Sequence, residues 1–297
     1  MKTLRIAIGV FVSFWSICAA AQYGTPETLK AELPPSGDLV FSNEAKTLGT
    51  FTDLANGLFS PTNKDANKLP ALVIFHTCGG ISKHIRYWAE EALKEGYVVL
   101  VPDAMRGLAN DCGSPPKILN ARFIKDALDA VAYLGTLSYV DDQRISILGF
   151  SKGGLVATWI ASSSVVSALR PGTKPIASAI SVYGFCGLAP TKGRPQGAVI
   201  LQPDTDRPLL LLMGGKDNEA PAASCLDRLP RMVESGAPVQ WHIYPDATHA
   251  WDSVDKDGYS KVASTTGERI TYHYDSVVTA DSRKRVFDFL ALRKGEK

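Results

Sequence analysis

Ser151 lies at the centre of the motif Gly149-Phe150-Ser151-Lys152-Gly153, in which glycines stand two positions away on either side of a serine. A serine hydroxyl is a weak nucleophile unless the backbone orients it and a base removes its proton. An apolar run at 145–148 precedes the motif and a helix-like run at 155–161 follows it. This context predicts a sharp turn between a buried strand and a helix, with Ser151 as an exposed nucleophile. The alternative is a chance glycine-rich turn.

An acid and then a histidine must follow such a serine along the chain. Asp217 comes just after the apolar run 208–213, and His249 comes just after the alternating run 239–244. Both residues therefore stand at the carboxyl ends of predicted strands, where chemistry gathers in open α/β sheets. We predict that His249 takes the proton of Ser151 and that Asp217 holds the imidazole in the required tautomer.

Other histidines and aspartates fit these roles less well. They precede the motif, lie inside a strand or a polar stretch, stand at the wrong end of a strand, or lie too close to His249. The rejected candidates are His76, His84, His242, His273, Asp204, Asp206 and Asp246.

Acyl transfer also requires backbone N–H groups that stabilise a developing oxyanion. We expect one donor to be the N–H of Lys152, which follows the nucleophile, and the other to come from the loop after an earlier strand. That strand is the run 71–75, which continues into His76-Thr77-Cys78-Gly79-Gly80. The N–H of Cys78 is our candidate, although the glycine pair alone would also fit an ordinary strand-to-helix turn.

Alternating strand and helix patterns must position these residues. The strand runs lie near 71–76, 97–102, 145–149, 177–183, 208–213 and 239–244. The clearest helix runs from Ile118 to Leu134, and another starts near Ser282. This order predicts an α/β fold with a mainly parallel central sheet and helices on both faces. We expect antiparallel edge strands near 40–41 and 49–51, and we interpret 187–207 and 252–280 as excursions near the site rather than a large lid domain.

With these motifs, the chain resembles the dienelactone hydrolase family of the α/β-hydrolase superfamily. The resemblance rests on the strand with residues 76–80, the segment 96–103, the Ser151 motif, the segments 214–221 and 249–252, and the tail 274–290. It covers about residues 40–293 and implies an α/β-hydrolase fold. It also implies an enzyme that acts on a small carboxylic ester or lactone.

Two departures from the family pattern bear on the substrate. Founding members use a cysteine nucleophile held by a glutamate, and this chain has Ser151 and Thr77 at those positions. The family also holds a substrate carboxylate with two arginines. The resemblance implies Arg106 for one of them, whereas the second position, just after His249, is occupied by Trp251 and its neighbours. Arg106 and Trp251 are therefore the expected substrate-binding residues, and an ordinary serine esterase fits better than a dienelactone hydrolase.

The N-terminal segment predicts export. Two positive charges at Lys2 and Arg5 precede an apolar stretch at 6–17 and a small-residue cleavage site at 19–21. This is the pattern of a secretory signal peptide, and the apolar stretch is shorter than the about 20 residues of a spanning helix. We expect residues 1–21 to be removed, residues 22–297 to form a single domain, and the protein to be periplasmic or secreted, without stable membrane insertion.

Four cysteines remain in the exported chain, and four allow three disulfide pairings. We expect Cys78–Cys112 and Cys186–Cys225, since each pair would join loops on the carboxyl side of the sheet. Free buried thiols are the alternative.

The composition of the 297-residue chain is that of a soluble globular protein, with 45% hydrophobic and 21% charged residues. A net charge of +2 gives no reason to expect nucleic-acid binding. We expect a small-molecule ester or lactone as the substrate, with no cofactor and no metal ion. Two alternatives remain open: a secreted binding protein that has lost catalysis, and a hydrolase of thioesters or acetylated sugars.

Overall fold

The computed structural model describes residues 22–34, 37–49, 51–61, 68–113, 116–188, 190, 196–262 and 267–292. The predicted signal peptide at 1–21 lies outside them. A seven-stranded sheet forms the centre, with strands β1 (Gly57–Phe59), β2 (Leu69–Phe75), β3 (Val98–Val101), β4 (Val140–Phe150), β5 (Ser178–Val182), β8 (Leu209–Gly214) and β9 (Val239–Tyr244). The strands lie in the order β1-β3-β2-β4-β5-β8-β9, and all neighbouring pairs are parallel except the antiparallel pair β1–β3.

Hydrophobic residues on both faces of the central strands explain why the sheet is covered on both sides. In β2, Val73 and Phe75 belong to one buried cluster, and Leu72 and Ile74 belong to a second cluster on the opposite face. Successive side chains of a strand point to opposite faces, so an unbroken apolar run requires two covering layers. The predicted α/β fold with a mainly parallel sheet is confirmed.

Eight α-helices are described. They are α1 (Pro26–Glu32), α2 (Lys83–Lys94), α3 (Asn120–Leu134), α4 (Lys152–Ile160), α5 (Ser163–Leu169), α6 (Ala223–Leu226), α7 (Leu229–Glu234) and α8 (Ser276–Ala291). The helix predicted at 118–134 is α3, and its apolar face is buried; the buried residues include Phe123, Ile124, Ala127, Leu128, Val131 and Leu134. The last helix begins six residues before the predicted start at Ser282, because the Asp275 side chain caps it by accepting from the N–H groups of Val277 and Val278.

The prediction for the N-terminal edge of the sheet was wrong in position. Residues 40–41 form no strand, and Phe51–Leu54 is a 3-10 helix. The antiparallel edge strand is β1, which pairs Gly57 with Val101 of β3. All three β1 residues are buried, and Leu58 and Phe59 are fully buried, which places the edge strand at 57–59.

Each of the two segments interpreted as excursions contains a short two-stranded hairpin. The segment 187–207 contains a short hairpin of β6 (Gly187–Leu188) and β7 (Ala198–Val199). The segment 252–280 contains a 3-10 turn at Val254–Lys256 and a hairpin of β10 (Ser260–Val262) and β11 (Arg269–Thr271). Within the described ranges, no helix is long and apolar enough to cross a membrane.

Disulfides Cys78–Cys112 and Cys186–Cys225 are both present, in the predicted pairing, and they close loops of 34 and 39 residues. Loops of this size correspond to about 4 kcal/mol each in the chain-entropy model. We expect intact mass under non-reducing conditions to detect no free thiol in the exported protein, and reduction to lower the melting temperature by roughly 5–15 °C. Four titratable thiols in the native protein would contradict this expectation.

Candidate active site

Ser151 occupies a strained turn between β4 and α4. Its φ of 52° and ψ of −112° lie in a region that side chains with a Cβ rarely adopt. The Ser151 N–H donates to Val182 O at 3.0 Å, which fixes the turn to the neighbouring strand β5. Strain of this kind persists where the surrounding structure enforces it, and it commonly accompanies function.

The two glycines of the motif are required for close approach between backbone segments. A Cβ at Gly149 would lie 1.9 Å from Gly153 O, and a Cβ at Gly153 would lie 2.3 Å from Phe75 O. Neither glycine has a positive φ; among the motif residues that conformation belongs to Ser151. The glycines therefore give the turn room, and the serine itself adopts the unusual torsions.

Asp217 and His249 lie beside Ser151 at the carboxyl ends of β8 and β9. His249 Nδ1 is 2.7 Å from Asp217 Oδ2, and His249 Nε2 is 2.9 Å from Ser151 Oγ. The other Asp217 oxygen accepts from the N–H groups of Glu219 and Ala220 at 2.9 and 2.7 Å. An ionised carboxylate can only accept, so Nδ1 carries the imidazole proton and Nε2 is left to accept the Ser151 hydroxyl.

Glu219 was not predicted from the sequence, and it lies on the other side of the same imidazole. Its Oε2 is 3.8 Å from His249 Nε2, Lys261 donates to its Oε1 at 2.7 Å, and the Tyr272 hydroxyl donates to its Oε2. Burial opposes the imidazolium, but Asp217 and then Glu219 outweigh that effect, so the pKa of His249 is raised above 6.5. The sequence pattern at 214–221 predicted a role for Asp217 but not for Glu219, because the residues that bind Glu219 come from a distant hairpin.

The two residues predicted to supply the oxyanion donors are linked through Asp111. Lys152 is the first residue of α4, and Cys78 lines the cleft that contains Ser151. Across the described ranges, neither the Cys78 nor the Lys152 N–H has a backbone acceptor. The Lys152 ammonium is bound to Asp111 at 2.8 Å, and the Asp111 N–H donates to Cys78 O at 2.8 Å, next to the Cys78–Cys112 disulfide. The two donors are thereby held in one connected unit.

A cleft of about 330 Å³ opens above Ser151. Its walls come from the loop after β2, the Cys112 loop, the start of α2, and the segment that follows β9 together with the β10–β11 hairpin. The lining residues are Thr77, Cys78, Gly79, His84, Ala109, Asn110, Cys112, Ser151, Glu219, His249, Ala250, Ser253, Lys256, Tyr259, Lys261 and Tyr272. Residues 252–280 thus contribute to the cleft as expected, whereas no described residue of 187–207 does.

Arg106 and Trp251 do not line this cleft, which corrects the expectation drawn from the resemblance. The Arg106 guanidinium forms a bidentate pair with the buried carboxylate of Asp126, at 2.5 and 2.6 Å. Trp251 is fully buried and packs edge-on against Tyr183 with ring centroids 4.9 Å apart. The Arg106 side chain pairs with Asp126 of α3 and the Trp251 side chain belongs to the core, so neither lines the cleft that contains Ser151.

His76, which was rejected as the catalytic base, forms hydrogen bonds with the backbone through both ring nitrogens. The Ala104 N–H donates to its Nε2 at 3.1 Å, and its Nδ1 donates to Thr77 O at 2.7 Å. Burial lowers the pKa of His76 to about 4, so it is neutral and joins the end of β2 to the neighbouring loop.

Among the described residues, no group of three or more histidine, cysteine or acidic side chains is arranged to hold a metal ion.

A pH profile tests the electrostatics around His249. The Glu219→Gln change removes a negative charge that stabilises the imidazolium, so the pKa of His249 falls and the neutral base persists to lower pH. We expect the acid limb of the kcat/KM profile of ester hydrolysis to move to lower pH. Lys261→Met removes a charge that lowers the pKa of His249, so its acid limb is expected to move to higher pH. Shifts of the same sign in the two variants would contradict this account.

The parallel sheet and the strand–turn–helix at Ser151 define the molecule as an α/β-hydrolase. The model of the dienelactone hydrolase family matches residues 55–291, and the chain belongs to this family. It is therefore an enzyme of the hydrolase class.

Relatives and solved structures agree with this assignment. A Salmonella typhimurium protein named "Putative carboxymethylenebutenolidase" is 27% identical over 67% of this chain and 74% of its own length. A Bradyrhizobium protein named "Probable 2-oxo-3-(5-oxofuran-2-ylidene)propanoate lactonase" is 26% identical over 70% of this chain and 83% of its own. A Klebsiella pneumoniae structure titled "Putative Dienelactone Hydrolase" superposes with a TM-score of 0.58 at 21% identity, covering 78% of this chain and 90% of the other.

Proposed function

We propose that the protein is a serine hydrolase that cleaves small carboxylic esters or lactones through Ser151, His249 and Asp217. The observation that carries the proposal is the continuous chain of hydrogen bonds from Ser151 Oγ through the imidazole of His249 to Asp217. The names of two relatives, a butenolidase and a lactonase, support the same substrate class.

In the first half-reaction, Ser151 Oγ attacks the carbonyl carbon and its proton passes to His249 Nε2. The N–H groups of Cys78 and Lys152 stabilise the negative oxygen of the tetrahedral intermediate. The bond to the leaving oxygen then breaks, His249 returns the proton to that oxygen, and the acyl group remains on Ser151. In the second half-reaction, a water molecule attacks the acyl carbon, His249 takes its proton, and the bond to Ser151 Oγ breaks as Ser151 regains a proton.

The dimensions of the cleft favour small substrates. A volume of about 330 Å³ is near the lower end of ligand pockets, and many of its lining groups are polar or charged. A long acyl chain gains about 0.8 kcal/mol for each methylene that is buried, and a cleft of this volume can enclose only a few of them.

An acyl-chain series on p-nitrophenyl esters tests substrate size. We expect kcat/KM to be highest for short acyl chains and to fall for long ones. A maximum at long chains would contradict the small-substrate proposal. The Arg106→Ala variant serves as a comparison: because Arg106 pairs with Asp126 outside the cleft, we expect it to affect charged and neutral esters equally.

A single measurement tests the role of Ser151 in this hydrolase. We expect hydrolysis of a small chromogenic ester to be abolished in Ser151→Ala. Equal rates for the variant and the wild type would contradict the proposed nucleophile.

We further propose that residues 1–21 direct export and that residues 22–297 form one hydrolase domain in the periplasm or outside the cell. The two disulfides support an oxidising compartment, because such bonds are rare in the cytosol. Intact mass of the protein recovered from an exporting bacterial host tests the cleavage, which we expect after Ala21.

A further inference from the structure

Two residues that line the cleft each carry a buried polar side-chain atom with no hydrogen-bond partner among the described residues. The atoms are Nε2 of His84, in the first turn of α2, and Oγ of Ser253, four residues after His249. The side chains are almost fully buried, at 5% and 2% exposure, and both residues line the same cleft as Ser151. A buried polar atom without a partner destabilises the protein by roughly 1–3 kcal/mol. We therefore expect these atoms to have a function that accounts for their presence.

The surrounding contacts fix both groups in place. One turn after His84 on α2, Trp88 donates from Nε1 to Asp252 at 2.7 Å, and Asp252 directly precedes Ser253. The other oxygen of Asp252 accepts from the Tyr183 hydroxyl at 2.8 Å. The imidazole of His84 stands edge-on against Phe150, the residue before the nucleophile, with ring centroids 5.4 Å apart. This wall of the cleft is therefore rigid and close to Ser151.

The chemistry of the two atoms selects the ligand group. His84 Nδ1 already shares a hydrogen bond of 2.7 Å with Ser82 Oγ, which leaves Nε2 as the remaining ring atom. Burial lowers the pKa of His84, so the imidazole is neutral. A neutral imidazole nitrogen and a serine hydroxyl together supply one donor and one acceptor, which matches an alcohol group.

We propose that His84 Nε2 and Ser253 Oγ form a subsite that binds a hydroxyl group of the substrate. This inference rests on the proposed ester hydrolase function. It narrows the substrate class to esters or lactones that carry a free hydroxyl near the scissile bond. A site built to hydrogen-bond a hydroxyl discriminates strongly against an analogue that lacks it, because its own polar groups are then left unpaired.

Two pairs of matched esters test the subsite and locate the hydroxyl. Hydroxyethyl butyrate and propyl butyrate differ by a hydroxyl in the alcohol part, and methyl β-hydroxybutyrate and methyl isovalerate differ by a hydroxyl in the acyl part. In one pair we expect the wild type to favour the hydroxyl ester in kcat/KM. We expect Ser253→Ala to lower this preference by roughly 10- to 100-fold. His84→Phe, which removes the other group, is expected to act in the same direction.

Ser181→Ala is the matched control. The Ser181 hydroxyl in β5 is also buried and has no partner within the described part of the chain, but the residue does not line the cleft. We expect its preference for the hydroxyl ester to equal that of the wild type. An unchanged preference in Ser253→Ala for both pairs would overturn the subsite.

Failure of the proposed function gives a different result, namely no turnover of any of the four esters. In that case the subsite is tested by binding, with dissociation constants of the same esters measured by NMR titration in Ser151→Ala protein. Tighter binding of one hydroxyl ester that is lost when Ser253→Ala is added supports the subsite. Equal dissociation constants within both pairs contradict it.

Discussion

Ser151→Ala and His249→Ala are each expected to lower kcat for a small ester by roughly 10⁴- to 10⁶-fold. The hydrogen bonds that join Ser151, His249 and Asp217 make the three residues act as a unit, so that loss of one removes most of the contribution of all. For the same reason, the double variant is expected to be about as slow as either single variant. Steady-state kinetics at a known protein concentration is the measurement.

The melting temperature of these variants is the control, because loss of activity through unfolding must be excluded. Both side chains lie at loop positions beside the cleft, so we expect the melting temperature to change by only a few degrees. Retention of more than about a tenth of the wild-type kcat in His249→Ala would remove this residue from the mechanism.

Gly153→Ala is expected to have the second largest effect. The added Cβ would lie 2.3 Å from Phe75 O and 2.7 Å from His76 O, and both atoms belong to the backbone at the end of β2. Neither can move without displacing Ser151 or the loop that carries Cys78. We expect a loss of about 3 kcal/mol or more in the free energy of unfolding, and a fall in kcat/KM of about 100-fold or more.

Gly135→Ala is the matched control for this change. Gly135 follows α3 with an ordinary φ of −65°, and the nearest atom to an added Cβ is 3.4 Å away. We expect its stability and activity to stay close to those of the wild type, as measured by denaturant unfolding and ester hydrolysis. A Gly153→Ala protein that behaves like Gly135→Ala would show that the turn has more room than the structure indicates.

Local patterns were sufficient to predict the sheet and the candidate triad. Apolar runs of five or six residues mark the central strands, because strands buried on both faces contain few polar residues. The positions of Ser151, Asp217 and His249 follow from those strands, since parallel strands bring their carboxyl ends to one edge. Element boundaries were less accurate: α8 begins six residues early because the Asp275 cap, rather than the apolar pattern, sets its start.

The surroundings of the three residues depended on contacts between distant segments. Glu219 meets Lys261 and Tyr272 only because the β10–β11 hairpin folds back over the cleft, across more than forty residues of chain.

Arg106 illustrates the same limit. A loop arginine near the site is compatible with substrate binding, but its partner was decided by the packing of α3, which presents the buried Asp126 carboxylate to it. The alternation of strands and helices is local in origin, because it follows from the hydrophobic pattern and the sharp turn at Ser151. The partners of the side chains are not determined locally. An ion pair or a buried hydrogen bond forms with whichever group the tertiary packing brings within about 3 Å.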